Sequence, residues 1–487
     1  MDPTENTQSP HPPVDCPLTW PQQRRNLLLY AVCKSCTYLA APVMYVGISQ
    51  ASLCDRLGAD TRTANLPGSL FFAMCTAPAL IAWLSPRASV VQRNLSWCFG
   101  ASALIVGITA ALLALRVSPG IILAMVIAQG GVLGVSSATA ECLLWEVIGR
   151  GSSTSVRGTA LGLAFGFGPM LAVVGSLCQA AIFGGDFFGH SFVGLSYPLN
   201  FVLLFGCCTP IMLVPAILAR FFIVPPVEQE AKREPVRDVF PMLIGFAGML
   251  LAVGSMQVAT WWQMEAIRGI SYVSAIIAAA AFLYHFRAIL GQRILLLATL
   301  VTLLVYAGET IPINMNLYSK LALGDAPEKF AGVQNALRFG FKIGAGFFLG
   351  WLLTRTNPRM GILVTAGFFL ASQAWALLVT GPWYLIAFGI YGAGELIGIY
   401  APNYIVSASR PGDLRRNTSF LAMLSTPSAV TGFVYGSLVD LSELGQWQFR
   451  GFEGSELGFR LSFVLCGTLI SLGILGALLL LPKHPKP

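Results

Sequence analysis

The chain has 487 residues, 55% of them hydrophobic and only 11% charged, and its mean hydropathy is +0.70. A soluble domain carries about 25% charged residues, so this composition cannot cover a water-facing surface and a soluble enzyme or binding module is excluded. The net charge of +8 is expected in loops that fix membrane topology, and no nucleic-acid partner is expected.

Residues 1–25 are polar and proline-rich and end in Arg24 and Arg25. No short apolar segment with a small-residue cleavage site follows, so a disordered tail is expected there. Apolar runs of about 18 residues or more then recur, each long enough to cross a bilayer as a helix. The runs fall at 26–50, 62–84, 94–115, 119–147, 157–184 and 199–223, then at 237–260 and 270–286, then at 293–317, 332–354, 361–379, 384–409, 417–441 and 459–481. The expected fold is an all-α membrane protein of about fourteen transmembrane helices. A six-helix bundle (26–223) and a second one (293–481) flank a linker with two extra helices (224–292), and residues 482–487 form a short tail. The segment "VPPVEQEAKREPVRD" at 224–238 is the most polar linker after the first tail.

Alternate loops hold the basic residues: Arg87 and Arg93, Arg150 and Arg157, Lys232, Arg233 and Arg237, Arg287 and Arg293, Arg355 and Arg359, Arg410, Arg415 and Arg416, and finally Lys483 and Lys486. The loops between them are poorer in charge or balanced. By the excess of Lys and Arg on the inner side of membranes, both termini are expected to be cytoplasmic. The lean loops suit a bacterial inner (plasma) membrane. The eleven cysteines show no metal-site spacing and read as small buried hydrophobes. No metal or cofactor is expected.

The two halves read as repeats. "NLPGSLFFAMCTAPALIAWLSPR" (65–87) resembles "NALRFGFKIGAGFFLGWLLTRTNPR" (335–359), with Asn65 and Asn335 separated by 270 residues, as are Pro42 and Pro312. Parallel six-helix repeats describe one transporter architecture.

On these residues the chain resembles the major facilitator superfamily. The family's loop motif G-x-x-x-D-R-x-G-R-R is matched by Gly350, Arg355 and Arg359, while its aspartate is Thr354 and its second glycine Asn357; in the first half only Arg87 remains. Glu146 with Arg157-Gly158 is similar to the acidic residue and Arg-Gly pair at the family's helix 4–5 turn. "GLAFGFGPMLAVVG", with Gly162, Gly166, Gly168 and Pro169, looks like a loose antiporter motif, although glycines that let helices pack closely explain it equally. The inserted helix pair also occurs in the family's proton-dependent peptide transporters. Their acidic first-helix motif is absent here, where the first helix reads "CKSC" around Lys34. The resemblance implies that the first, fourth, ninth and twelfth spans line a central cavity.

A charge inside the hydrocarbon region costs several kcal/mol and is expected to face the bundle interior and pair. Lys34 lies on the first span, Glu141 on the fourth, Glu309 on the ninth, Arg338 and Lys342 on the tenth and Glu395 on the twelfth. At ~1.5 Å per residue, Glu309 and Arg338 share an outer level, Glu395 and Lys342 the midplane, and Lys34 and Glu141 an inner level. The expected substrate contacts are Lys342, Arg338, Glu395, Asn314 and Lys34. The expected proton-coupling acids are Glu309, Glu395 and Glu141, and the expected gate residues are Glu146, Arg150, Arg355 and Arg359. A set of static buried ion pairs is the competing reading. Thr310, Asn314 and Asn316 either meet a polar substrate or satisfy backbone freed by Pro312.

The function expected is secondary active transport of a small, anionic organic solute by alternating access, coupled to protons, in a monomer within membrane lipid. The alternatives are a proton-coupled exporter of cationic or amphipathic compounds and a non-transporting receptor or scaffold. The chain holds no G-x-x-x-x-G-K-[ST], H-E-x-x-H or G-x-S-x-G motif, and it is not expected to be an enzyme.

Overall fold

The computed structural model describes residues 18–85, 87–151, 154–184, 186–187, 190–191, 194–225, 235–262, 264–408, 420, 426 and 428–485. Residues 226–234 of the polar linker and the loop holding Arg410, Arg415 and Arg416 lie outside them, as does the side chain of Arg157. Ten helical stretches among the described residues are long and apolar enough to cross a membrane. With four more charged, broken or shorter stretches they make fourteen, in the expected order.

Span 1 runs Trp20–Leu39, Ala41–Met44 and Ile48–Arg56, and span 2 runs Thr61–Met74 and Ala77–Leu84. Spans 3 to 6 are Val91–Ala114, Pro119–Gly151, Thr154–Phe183 and Leu199–Leu218. Spans 7 and 8, the central pair, are Val236–Trp262 and Glu265–His285. Span 9 runs Arg293–Tyr306 and Ile311–Leu323, span 10 is Pro327–Arg355 and span 11 is Pro358–Leu378. Span 12 runs Ile386–Gly394 and Ile397–Ser407, the described part of span 13 is Ser428–Leu444, and span 14 is Gly454–Leu480. Two short hairpins, Asp186–Phe187 with His190–Ser191 and Gln448–Phe449 with Phe452–Glu453, sit in loops opposite the termini.

The first helix starts at Trp20, not at residue 26. The tail was expected to run to Arg25, but Thr19 precedes Pro21 and donates its backbone N–H to Gln22 Oε1 at 2.9 Å. Proline in the first turn and a residue reaching back to the cap are a helix start, which hydropathy alone misses because the turn is polar.

Spans 1, 2, 9 and 12 are broken midway, at 45–47, 75–76, 307–310 and 395–396. Each break frees backbone groups, which lipid cannot satisfy. Side chains take them instead: Tyr435 Oη donates to Ala307 O at 2.9 Å, Ser428 Oγ to Tyr306 O at 2.9 Å and Gln50 Nε2 to Val43 O at 2.8 Å.

The central pair packs on itself through small residues. A Cβ on Gly245 would lie 2.7 Å from the Phe282 ring, and one on Gly248 would lie 3.0 Å from Ser274 O, the close approach that glycine permits between membrane helices. Met242, Phe246, Met249 and Met256 of span 7 join Leu66, Leu70 and Met74 of span 2 in one buried cluster, and Ala429 and Phe433 of span 13 pack against it.

The halves meet mainly on the side opposite the termini, called here the far side. Span 2 packs along span 13 and span 5 along span 10, while the far ends of spans 1 and 9 touch. A chain of buried amides and hydroxyls crosses there. Asn65 Nδ2 donates to Asn314 Oδ1 at 2.8 Å, Ser52 Oγ to Asn316 Oδ1 at 3.0 Å and Asn335 Nδ2 to Gln179 Oε1 at 3.2 Å. Ion pairs rim it, Lys320 with Asp55 at 3.6 Å and Arg56 with Glu328 at 4.0 Å. In the adjoining loop, the hydrogen bond from Lys329 holds the Asp325 carboxyl below its ordinary range.

Candidate functional site

Span 10 is unbroken and carries Arg338 and Lys342 one turn apart, on one face. Span 12 meets it so closely at Gly392 that an added Cβ would lie 1.9 Å from Arg338 O. Its helix then breaks, and the break presents Glu395. Arg338 Nε donates to Glu395 Oε2 at 2.8 Å, and Nη2 donates to Oε1. Lys342 Nζ donates to the same Oε2 at 3.2 Å. Two cations therefore share one carboxylate, with side chains 7%, 14% and 6% exposed for Arg338, Lys342 and Glu395. Such a bidentate guanidinium–carboxylate pair is among the stronger hydrogen-bonded contacts.

This corrects the expected layering. Arg338 was placed with Glu309 at an outer level, but it pairs with Glu395. A rise of ~1.5 Å per residue holds only along an unbroken helix, and spans 9 and 12 break at the two acids themselves. Glu309 sits in the turn between Tyr306 and Ile311. Its backbone carbonyl accepts from Tyr391 Oη at 2.9 Å. Its carboxylate makes no ion pair with a described residue, although it shares the electrostatic field of Glu395, Lys342 and Arg338.

In the first half, Lys34 Nζ donates to Glu141 Oε2 at 2.6 Å. A cavity of about 120 Å³ beside them is lined by Thr37, Tyr45, Ser102, Ser136 and Ser137, with Ser102 and Ser136 hydroxyls 2.7 Å apart. Glu141 is 39% exposed against 8% for Lys34, so its carboxylate opens to the cavity.

An aromatic wall joins the two clusters. The Tyr45 ring, at the break of span 1, lies 5.6 Å from the Arg338 guanidinium carbon and 5.8 Å from Lys342 Nζ. It meets Phe339 edge-on at 5.1 Å, and Tyr38 does so at 6.5 Å. Lys34 Nζ lies 5.6 Å from the Tyr38 ring. Cations over aromatic faces are attracted by about 0.5–2 kcal/mol, so the first half contributes to the setting of the second half's charges.

Asn314 was expected to touch substrate. It is fully buried, and its amide is taken by Asn65 and by Ser462 Oγ at 3.1 Å. Asn316 is likewise spent on Ser52, Gln334 and Pro327 O. In this arrangement both amides fasten helices.

Among the described residues, the residues expected to gate make these contacts within their own halves. Glu146 and Arg150 form a bridge at 2.7 Å along one helix. Arg359 donates to Leu478 O at 3.2 Å and Leu481 O at 3.0 Å, a cation on the carbonyl end of span 14. Arg355 stacks over Trp351 at 5.1 Å. A wider groove of about 350 Å³ between spans 11 and 14 is lined by Leu370, Gln373, Phe463 and Gly467 among others and holds no charged side chain.

No feature of the sequence marks Tyr45, Asp440 or the far-side amides as cross-half residues, with one exception: Asn65 and Asn335, matched by the repeat, each bond to the opposite half.

No protein-family model matches the chain, and no curated protein does. Solved structures do. The POT family transporter PepTSo is similar over 94% of this chain and 98% of its own, with 13% identity and a TM-score of 0.64. A POT family transporter in complex with 5-aminolevulinic acid is similar over 95% and 96%, with 14% identity and a TM-score of 0.63. The nucleoside transporter NupG is similar over 94% and 99%, with 10% identity and a TM-score of 0.58. At such identities the likeness is one of fold, and the chain has the fold of the major facilitator transporters.

Proposed function

We propose that this protein is a secondary transporter that moves a small organic anion by alternating access and couples the movement to a proton. The observation that carries this reading is one carboxylate, Glu395, shared by Arg338 and Lys342. The excess positive charge suits a carboxylate or similar anionic group on the solute. The similar solved structures are transporters, and the closed far side is one of the two states that alternating access requires.

Glu309 supplies the coupling. When it is ionised, two acids balance two bases around the break. When it takes a proton, one positive charge is left for the solute. Proton and anion then favour each other's binding, and the favour is reciprocal. Lys342 and Arg338 meet the anion, Glu395 sets their spacing, and Lys34 with Glu141 faces the solute from the first half. Closure of the termini side is assigned to Glu146, Arg150, Arg355 and Arg359. By the bias of Lys and Arg toward inner loops, that side is read as cytoplasmic, and the lean loops suit the plasma membrane of a bacterium.

The test is purified protein in liposomes holding a pH-sensitive dye, challenged with a panel of small carboxylates, cations and neutral solutes. Internal acidification on adding a carboxylate is the expected result. A response only to cations supports the exporter reading anchored on Glu395. No flux with any solute, from folded protein, supports a receptor or scaffold.

A further inference from the structure

The first helical piece of span 2 begins at Thr61, and the opening N–H groups of any helix lack partners within it. Asp60, from the same half, takes one of them: its Oδ1 accepts from Thr63 N at 2.9 Å. Asp440, on span 13 of the other half, takes two more. Its Oδ1 accepts from Thr61 N at 3.0 Å and its Oδ2 from Arg62 N at 2.9 Å. Arg62 Nε lies 3.8 Å from Oδ2, and the Arg62 guanidinium carbon lies 5.7 Å from the Phe433 ring of span 13. The Asp440 side chain is 11% exposed, so these bonds are screened little by water. One turn away, a Cβ on Gly436 would lie 2.9 Å from Arg62 Cα and from Thr61 O. The helices touch backbone to backbone where the carboxylate caps.

We propose that Asp440 is the positioning residue of the far-side closure, completing the N-terminus of span 2 only while the two halves are together. A carboxylate on a helix N-terminus is favoured by both charge and hydrogen bonding. When the halves part, Thr61 and Arg62 return their N–H groups to water and Asp440 loses the helix end. Asp440 thereby weights the closed state without touching solute. The consequence for flux rests on the transporter reading; the closure itself does not.

Hydrogen–deuterium exchange of the full chain in lipid nanodiscs tests this without any transport assay. Asp440→Asn is expected to speed exchange at least tenfold around 61–66. It should do the same around 176–180 and 333–337, the other seam, where Gln179 meets Asn335. Asp440→Glu should return slow exchange at both seams. Asp60→Asn, which removes only the cap from the same half, should speed exchange near Thr63 alone. Asp440→Ser serves the same comparison if Asp440→Asn does not yield folded protein. Acceleration confined to residues 61–62, or equal effects of Asp60→Asn and Asp440→Asn at the distant seam, would overturn the proposal.

Discussion

Glu395 accepts from two cations in a setting where none of the three side chains is more than 14% exposed. Removing the one acid strands two buried charges, and breaking a buried pair in this way costs about 3–5 kcal/mol. Glu395→Gln should therefore lower the thermal unfolding midpoint in detergent far more than Lys342→Met, which leaves the Arg338 pair intact. The double variant should be more stable than Glu395→Gln alone, because it removes one of the stranded cations; equal midpoints would contradict the shared carboxylate. At this scale part of the site was legible. Lys34 and Glu141 lie on spans that are helical at those positions, so counting residues from the membrane face brought them to one level, and they bond. The same counting failed for Arg338 and Glu309, because Glu309 and Glu395 sit in turns where the helical rise no longer applies.

The spans themselves follow from composition, since a bilayer demands long apolar runs whose backbone bonds close internally. Their interruptions are harder to read. Pro312 announces the break in span 9, but no proline stands at Glu395, where "GAGELIG" breaks the helix. Gly392 and Gly394 there serve close approaches, to span 10 and to Phe369 of span 11. Gly392→Ala would set a methyl against the Arg338 carbonyl, an obstacle of backbone that no rotamer avoids. Overpacking of this kind costs about 1–3 kcal/mol. The change should also push span 12 from span 10 and weaken the Arg338–Glu395 bond. Solute affinity and thermal stability should both fall, whereas Gly398→Ala, with open space around its added Cβ, should change neither. An unaffected Gly392→Ala protein would contradict the packing.

Across the whole molecule the repeat has a visible consequence. Span 2 against span 13 and span 5 against span 10 are the same contact exchanged between halves, and Asn65 and Asn335 occupy corresponding places in it. The 270-residue offset pointed at these residues, but their partners are unforeseeable from sequence, because a contact between Asn65 and Asn314 leaves no periodic trace. A double-mutant cycle of Asn65→Ala and Asn314→Ala should show a coupling of roughly 0.5–1.5 kcal/mol in unfolding free energy, and additivity would place the two amides apart. The seam joins the halves on the far side, and the proposed solute and proton site is the charge cluster around Glu395 and Glu309. Glu309→Gln tests that claim most directly, with proton-driven accumulation and solute counterflow measured side by side in liposomes. The variant is expected to keep counterflow while losing accumulation against a gradient, since the anion site keeps its excess cation but no longer trades it for a proton. Accumulation equal to that of the unaltered protein would contradict the account.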